Sequence, residues 1–137
     1  GIDLLPMTGL PGVKFIQGDF TEPSTRDRIL TALGGRPADL VICDMAPNIS
    51  GVTMADQART YALAELALDF ARHCLQPKGA FLVKVFQGSG FEEYVRALRS
   101  LFKTVQARKP GASRDRSREV YLLAREICDI DRAVALE

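Results

Sequence analysis

A lysine inside an apolar run is the residue of this sequence with the clearest potential for chemistry. Lys84 lies within residues 80–86, where its neighbours are apolar residues of the kind that pack in a protein interior. An ammonium group placed there loses hydration, so it needs an acidic partner or a shifted pKa. One interpretation is structural: Lys84 reaches solvent at a strand end or pairs with a carboxylate. The other is an amine held near carboxylates, with its pKa tuned so that it orients or deprotonates a hydroxyl.

Two acids are candidate partners of this amine. Asp44 directly follows the apolar run 39–43, and the next apolar run along the chain contains Lys84, so adjacent strands are expected. An aspartate in this position is also a common turn-former or cap, but Pro47 stiffens the loop that follows and favours a functional role. Glu119 opens the last apolar run and would complete a carboxylate–amine–carboxylate cluster, although taken alone it fits a surface salt bridge.

Two further acids, Asp3 and Asp19, stand near strand ends in the N-terminal part. In nucleotide-binding sheets such carboxylates accept hydrogen bonds from ribose hydroxyls or from an adenine amino group, but no Gly-rich loop precedes them here. The single histidine, His73, lies in a helical pattern away from strand ends, which argues against a histidine-based triad. Packing accounts for the three tyrosines, Tyr61, Tyr94 and Tyr121.

Charge is unevenly distributed along the chain. The formal net charge is +1, yet residues 96–125 contain nine Lys or Arg and two acids, a segment charge of +7 that leaves −6 elsewhere. Clustered cations are what a polyanion-binding surface requires, and a merely solvated surface is the alternative. The basic residues nearest the last two predicted strands are Arg108, Lys109, Arg114, Arg116 and Arg118.

Composition limits the class of protein. With 137 residues, 47% apolar and 26% charged, the chain has the size and balance of one globular domain. The three cysteines are an odd number without metal-binding spacing, which indicates reduced thiols in a cytoplasmic protein and no metal site. No apolar run approaches the roughly 20 residues of a membrane span, and the N-terminus lacks the features of a signal peptide.

The pattern of apolar residues predicts the elements that position these side chains. Strands are expected at residues 13–17, 39–43, 80–86, 104–108 and 119–124, with 39–43 buried on both faces. Helices are expected after a cap at Ser24 or Thr25 and up to Gly34, over residues 56–75, and after the turn 87–90. This alternation predicts a doubly wound α/β sheet, in which ligands bind beyond the carboxyl ends of the strands. Asp19, Asp44 and residues 84–87 fall at such ends.

Five segments, in order and with similar gaps, resemble the FtsJ/RrmJ family of heat-shock-associated ribose 2′-O-methyltransferases of large-subunit ribosomal RNA. They are DLLPM (3–7), FIQGDF (15–20), CDMAPNISG (43–51), VKVFQGSGF (83–91) and ARKPGASRDRSREVY (107–121). The likeness extends from Gly1 to about Ala124. It implies a Rossmann-like fold, S-adenosylmethionine as cofactor, and ribosomal RNA or the large ribosomal subunit as partner of a monomeric enzyme.

The resemblance also implies roles for individual residues. Three members of the family's lysine–aspartate–lysine–glutamate tetrad match Asp44, Lys84 and Glu119, with Lys84 as the central amine that helps to activate the ribose 2′-hydroxyl. Asp44 would hold Lys84 and, as a cofactor-binding residue, lie near the transferred methyl. Glu119 would support the amine and position the nucleotide. Asp3 would bind the cofactor ribose and Asp19 its adenine. The five basic residues given above would contact RNA phosphates.

The family's first strand, Gly-rich loop and first tetrad lysine lie upstream of a residue like Asp3. We therefore expect residues 1–125 to be the C-terminal portion of the domain, residues 126–137 to be a peripheral tail, and the 137 residues alone to have little activity. A non-catalytic RNA-binding module of the same fold is the main alternative. A base or small-molecule methyltransferase is another, and a nicotinamide-dependent oxidoreductase lacks its glycine fingerprint.

Overall fold

The structure, a computed structural model, describes residues 1–45, 53–109 and 119–128. The chain divides into two compact units, Gly1–Pro37 and Ala38–Glu137. Pro47 and its loop lie outside the described residues, as do Arg114, Arg116 and Arg118. No helix in the described part of the chain is long and apolar enough to cross a membrane.

The first unit contains two short parallel strands and a helix. β1 (Ile2–Asp3) pairs with β2 (Ile16–Gln17), and α1 spans Pro23–Leu33. The strand predicted over 13–17 is shorter than expected, because Val13 belongs to a turn. Its N–H donates to the carbonyl of Leu10 at 3.1 Å, and Gly12 has a φ of 78°.

The C-terminal end of α1 was predicted correctly, but its N-terminal end was not. The predicted cap at Ser24 or Thr25 is wrong: the helix starts at Pro23, with Glu22 as N-cap. A proline fixes the φ that the first helical position needs, so the helix starts earlier. Thr25 is buried instead and lies close to Gly18: a Cβ added to Gly18 would be 3.0 Å from Oγ1 of Thr25. The predicted C-terminus at Gly34 is confirmed by its φ of 64°.

The second unit is a four-stranded sheet with two helices. Along the chain it comprises β3 (Ala38–Cys43), α2 (Thr53–Cys74), β4 (Leu75–Phe86), α3 (Phe91–Leu101), β5 (Phe102–Arg108) and β6 (Glu119–Ile127). The strand order is β3-β4-β6-β5. The predicted adjacency of β3 and β4 is confirmed, and they run parallel. β6 was predicted as a strand, but its position between β4 and β5, antiparallel to both, was not expected from the sequence.

The core of this unit lies between the helices and one face of the sheet. That face contains Phe81, Val83 and Val85, none of which is accessible to solvent. On α2 the most buried positions are Ala64, Ala67 and Ala71, whereas Leu63 and Phe70 are partly exposed. Small residues there allow the helix to approach the sheet closely. All three cysteines are free thiols.

Strand β3 differs from its prediction. It was expected to be buried on both faces, but Leu40 is 50% exposed and Ile42 is 61% exposed. β3 is an edge strand of the four-stranded sheet, and these two side chains share the face opposite to the one covered by α2 and α3. The apolar run therefore predicted the strand correctly but did not show which of its faces is covered by other elements.

Candidate functional site

Lys84 and Asp44 form an ion pair where β3 and β4 end. Cys43 is paired with Val83, so the next residue of each strand lies at the same level of the sheet. The Nζ atom of Lys84 lies 2.6 Å from Oδ1 of Asp44. The Lys84 side chain is only 17% exposed, while that of Asp44 is 49% exposed. The amine is thus shielded and the carboxylate is open to a ligand.

The environment of Lys84 favours its charged form. The hydrogen bond that Lys84 donates to Asp44 raises the pKa of Lys84, burial opposes this, and the charges of Asp44 and Glu119 add to the increase. Lys84 therefore remains an ammonium group at neutral pH. Of the two roles considered for this amine, orienting a hydroxyl agrees with this state better than deprotonating one.

Tyr121 belongs to the same cluster, which the sequence did not reveal. Its hydroxyl donates to Oδ2 of Asp44 at 3.2 Å, and it lies opposite Lys84 across the β4–β6 pair. The assignment of Tyr121 to packing alone is therefore wrong. The signal was available in the alternation of β6, since residues two apart in a strand share a face and Tyr121 is two residues beyond Glu119.

Glu119 lies at the same end of the sheet, opposite Phe86. It shares a face with Tyr121, and its charge helps to raise the pKa of Lys84. The structure thus places the three predicted residues Lys84, Asp44 and Glu119 in one region. Their catalytic roles stay predictions.

Asp3 and Asp19 come together in the first unit. The N–H of Gly18 donates to the carbonyl of Asp3 at 2.9 Å, so the two acids follow adjoining ends of the parallel strands. Each carboxylate accepts local hydrogen bonds through Oδ1: Asp3 from the N–H of Leu5 at 3.1 Å, Asp19 from the N–H and hydroxyl of Thr21 at 2.9 and 2.6 Å. These bonds lower the pKa of Asp19. Ionised carboxylates at strand ends suit the hydroxyl and amino donors of a nucleoside.

The described basic residues Arg108 and Lys109 are exposed at the end of β5. Arg108 lies opposite Tyr121, which in turn lies opposite Lys84, so these three residues form a cross-strand row. Nη2 of Arg108 donates to Oε1 of Gln106 at 2.8 Å. A cation therefore lies two strands away from the Lys84 amine, about 10 Å at the usual spacing of strands.

The other side chains considered from the sequence are those of His73, Tyr61 and Tyr94. His73 is exposed on α2, where its Nδ1 lies 2.7 Å from the carbonyl of Asp69, away from the cluster as predicted. Tyr61 and Tyr94 are buried, in agreement with packing roles. Among the described residues, no group of three or more His, Cys, Asp or Glu is arranged to hold a metal ion.

The chain is similar in sequence to three bacterial proteins that share one name. It is 58% identical over 124 residues to the ribosomal RNA large subunit methyltransferase E of Neisseria meningitidis, covering 90% of this chain and 60% of the relative. The proteins of the same name from Thiobacillus denitrificans and Pseudomonas aeruginosa are 58% and 59% identical, over 98% and 90% of this chain. The chain spans about 60% of the length of these curated relatives.

Two solved structures share the fold. A protein from Plasmodium falciparum, described as a ribosomal RNA methyltransferase, superposes with a TM-score of 0.81 at 24% identity, over 93% of this chain and 70% of that one. A protein from Streptococcus mutans, described as a methyltransferase in complex with SAH, gives a TM-score of 0.53 at 12% identity, over 91% and 68%. These likenesses confirm the predicted α/β Rossmann-like fold. The family model of FtsJ-like methyltransferases matches residues 1–127, and the chain therefore belongs to that family.

Proposed function

We propose that this chain is the part of an S-adenosylmethionine-dependent methyltransferase that methylates a ribose 2′-hydroxyl of large-subunit ribosomal RNA, with a uridine as the target. The Lys84–Asp44 pair, 2.6 Å apart at the ends of two parallel strands, is the observation that supports it most directly. Membership of the family and the name of the relatives at 58% identity support the substrate class.

Lys84 is assigned to orient the attacking oxygen. Because its pKa is raised, the ammonium can donate a hydrogen bond to the 2′-oxygen, which fixes one lone pair toward the methyl group. Asp44 holds the ammonium and has its carboxylate half exposed, so it is assigned to accept the hydroxyl proton. Tyr121 restrains the other carboxylate oxygen. Glu119 supports the charge of Lys84.

The cofactor S-adenosylmethionine supplies a methyl group already activated by its sulfonium. Asp3 is assigned to its ribose hydroxyls and Asp19 to its adenine amino group, since both are acceptors at strand ends. Transfer makes the bond from the 2′-oxygen to the methyl carbon and breaks the carbon–sulfur bond. The proton of the hydroxyl passes to the Asp44 carboxylate and then to water.

Basic residues are assigned to the RNA backbone. Arg108 and Lys109 are exposed beside the site, and the proposal extends the same role to Arg114, Arg116 and Arg118. Phosphate contacts of this kind give affinity without sequence selection. The proposal also includes a cytoplasmic, monomeric protein, with residues 1–125 as part of the methyltransferase domain and 126–137 as a peripheral tail.

The test is transfer of a tritiated methyl group to unmodified ribosomal RNA and to large subunits, followed by nucleoside analysis. The chain is assayed alone and joined to the residues of the Neisseria relative that lie outside the matched region. We expect a 2′-O-methylated nucleoside from the joined form and little from the chain alone. Lys84→Met should lower the rate at least about a hundredfold. The matched control is Lys78→Met, an exposed lysine of the same strand.

Each other outcome has a defined meaning. A methylated base would identify a base methyltransferase and refute the ribose assignment. RNA binding that is unaffected by Lys84→Met, with no methyl transfer in either form, would identify a non-catalytic RNA-binding module. Equal losses in Lys84→Met and Lys78→Met would remove the special role of Lys84.

A further inference from the structure

The carboxyl end of β4 is paired with fewer strands than its middle. Among the described residues, the β3–β4 ladder ends at the pair Cys43–Val83, whereas β6 pairs with β4 as far as Phe86. Lys84 therefore lies in the part of β4 that has a strand on one side only. Strand ends with few partners open locally at low cost. A contact of this end of β4 with another element would add to the restraint that β6 gives Lys84.

Tyr61, on α2, provides such a restraint. Its hydroxyl donates to the carbonyl of Phe86, the last residue of β4, at 2.5 Å. Tyr61 is only 7% exposed, and burial raises the pKa of its phenol to about 12. The hydroxyl therefore keeps its proton, and acts as a donor, throughout the neutral range.

The connection from β4 to α3 fits closely against α2. A Cβ on Gly90 would lie 3.1 Å from Cδ2 of Tyr61, and the φ of +92° at Gly90 also disfavours a side chain. A Cβ on Gly88 would lie 2.6 Å from Nε2 of Gln57. These approaches are too close for any larger residue without movement, so α2 contacts this connection through Gln57 as well as Tyr61.

The ring of Tyr61 is oriented by a second tyrosine. Tyr94 of α3 packs edge-on against it, with centroids 5.8 Å apart and an interplanar angle of 60°. Tyr94 itself donates to the carbonyl of Ala64 at 2.7 Å, which ties α3 to α2. Tyr61 and Tyr94 thus make the same type of hydrogen bond, but only that of Tyr61 ends on β4.

We propose that Tyr61 is a positioning residue of the candidate active site: by holding the Phe86 carbonyl it fixes the end of β4 and keeps the Lys84 ammonium against Asp44. This inference rests on the proposed function, since the cluster it serves is the one assigned to methyl transfer. If Tyr61 were only a packing residue, loss of its hydroxyl would lower global stability and leave the Lys84–Asp44 contact unchanged.

The experiment measures hydrogen exchange of the lysine ammonium groups by NMR at neutral pH, in the ¹⁵N-labelled 137-residue chain. The chain has five lysines, and Lys84→Arg identifies the signal of Lys84. We expect Tyr61→Phe to accelerate exchange of the Lys84 ammonium by roughly three- to tenfold, the range that loss of one hydrogen bond produces. Tyr94→Phe is the matched control, because it removes a hydroxyl–carbonyl hydrogen bond that does not reach β4.

The inference is overturned if folded Tyr61→Phe leaves the Lys84 exchange rate unchanged, or if Tyr94→Phe changes it equally. Should Tyr61→Phe not fold, amide exchange of the wild-type chain decides. In the wild type, the amides of residues 84–86 that pair with β6 should be protected as well as those of 80–82, and much faster exchange at the end would contradict a held strand. None of these measurements needs methyl transfer, so a failed transfer assay would refute the proposed function and leave this result intact.

Discussion

Lys84 and Tyr121 face each other across the antiparallel β4–β6 pair, and both contact the carboxylate of Asp44. The ammonium binds Oδ1 and the phenol binds Oδ2, at 2.6 and 3.2 Å. A carboxylate that is half exposed is thereby restrained from two neighbouring strands. This geometry leads to the first prediction.

Asp44→Asn removes the negative charge of this side chain and nearly preserves its shape. The amide keeps an acceptor for Tyr121 but no longer attracts the ammonium, so methyl transfer by the joined form should fall about a hundredfold or more. The free energy of unfolding should fall by about 1–3 kcal/mol, because the Lys84 side chain is only 17% exposed and its ammonium loses its charged acceptor. Urea unfolding and the tritium assay measure the two effects. Asp39→Asn, on the same strand, is the control, and an equal loss of transfer there would contradict the prediction.

Stability should decrease at alkaline pH for two reasons of the same sign. The folded pKa of Lys84 lies above its ordinary value of 10.5, so its contribution is complete below that pH and is lost as pH rises through the folded pKa. Tyr61, with a pKa of about 12 against 10.0, resists ionisation only when folded, so the unfolded state gains above pH 10. Urea unfolding between pH 7 and pH 12 should show a flat region and then a decline. Lys84→Met and Tyr61→Phe should each make the decline shallower, and a steeper decline would refute the assignment.

The turn that holds Asp19 gives a prediction for the first unit. Thr21→Val removes the hydroxyl that contributes most to the low pKa of Asp19, so that pKa should rise toward its ordinary value of 3.8. NMR titration of the carboxyl carbon measures it. Thr31→Val removes the hydroxyl that donates to the carbonyl of Asp27 within α1 and should leave Asp19 unchanged. An unchanged pKa in Thr21→Val would contradict the role of this hydrogen bond.

Arg108 should contribute one phosphate contact. Arg108→Gln is expected to weaken RNA binding by the joined form and to reduce the slope of log affinity against log salt by about one. Filter binding to a ribosomal RNA fragment at several salt concentrations measures both. Lys103→Gln, on the same strand but 3.5 Å from Oε2 of Glu126, is the control and should leave the slope nearly unchanged. Equal changes in the two variants would show that Arg108 has no special position.

The sequence alone predicted the elements and the Lys84–Asp44 pair, because each depends on local pattern. An apolar run identifies a strand, and consecutive strands in an α/β chain are usually neighbours, which placed Asp44 beside Lys84. The exposed face of β3 was not predicted, because an apolar run indicates a strand without showing which of its faces another element covers. For that reason Leu40 and Ile42 were expected to be buried.

Residues that act through long-range contacts were the ones missed. For Tyr61, nothing in the local sequence distinguishes a packing tyrosine from one whose hydroxyl reaches a distant partner. For Tyr121, the alternation of β6 indicates the face shared with Glu119 but does not identify the partner of the hydroxyl. Tyr121 is 77 residues from Asp44, and Tyr61 is 25 residues from Phe86. Only the antiparallel insertion of β6 and the approach of α2 to the end of β4 define these contacts.

The pairing of Arg108 with Tyr121 also has a consequence for how this family could diversify. Because these two residues are register partners, the chain on either side of residues 110–118 lies at the same end of the sheet, next to the amine. The free energy of closing a connection between two such points rises only slowly with the length of the connection. Its length and charge can therefore vary between relatives, or be exchanged by grafting, while the sheet that holds Lys84 is preserved. Selection of the RNA target and conservation of the chemistry would then be separable during evolution.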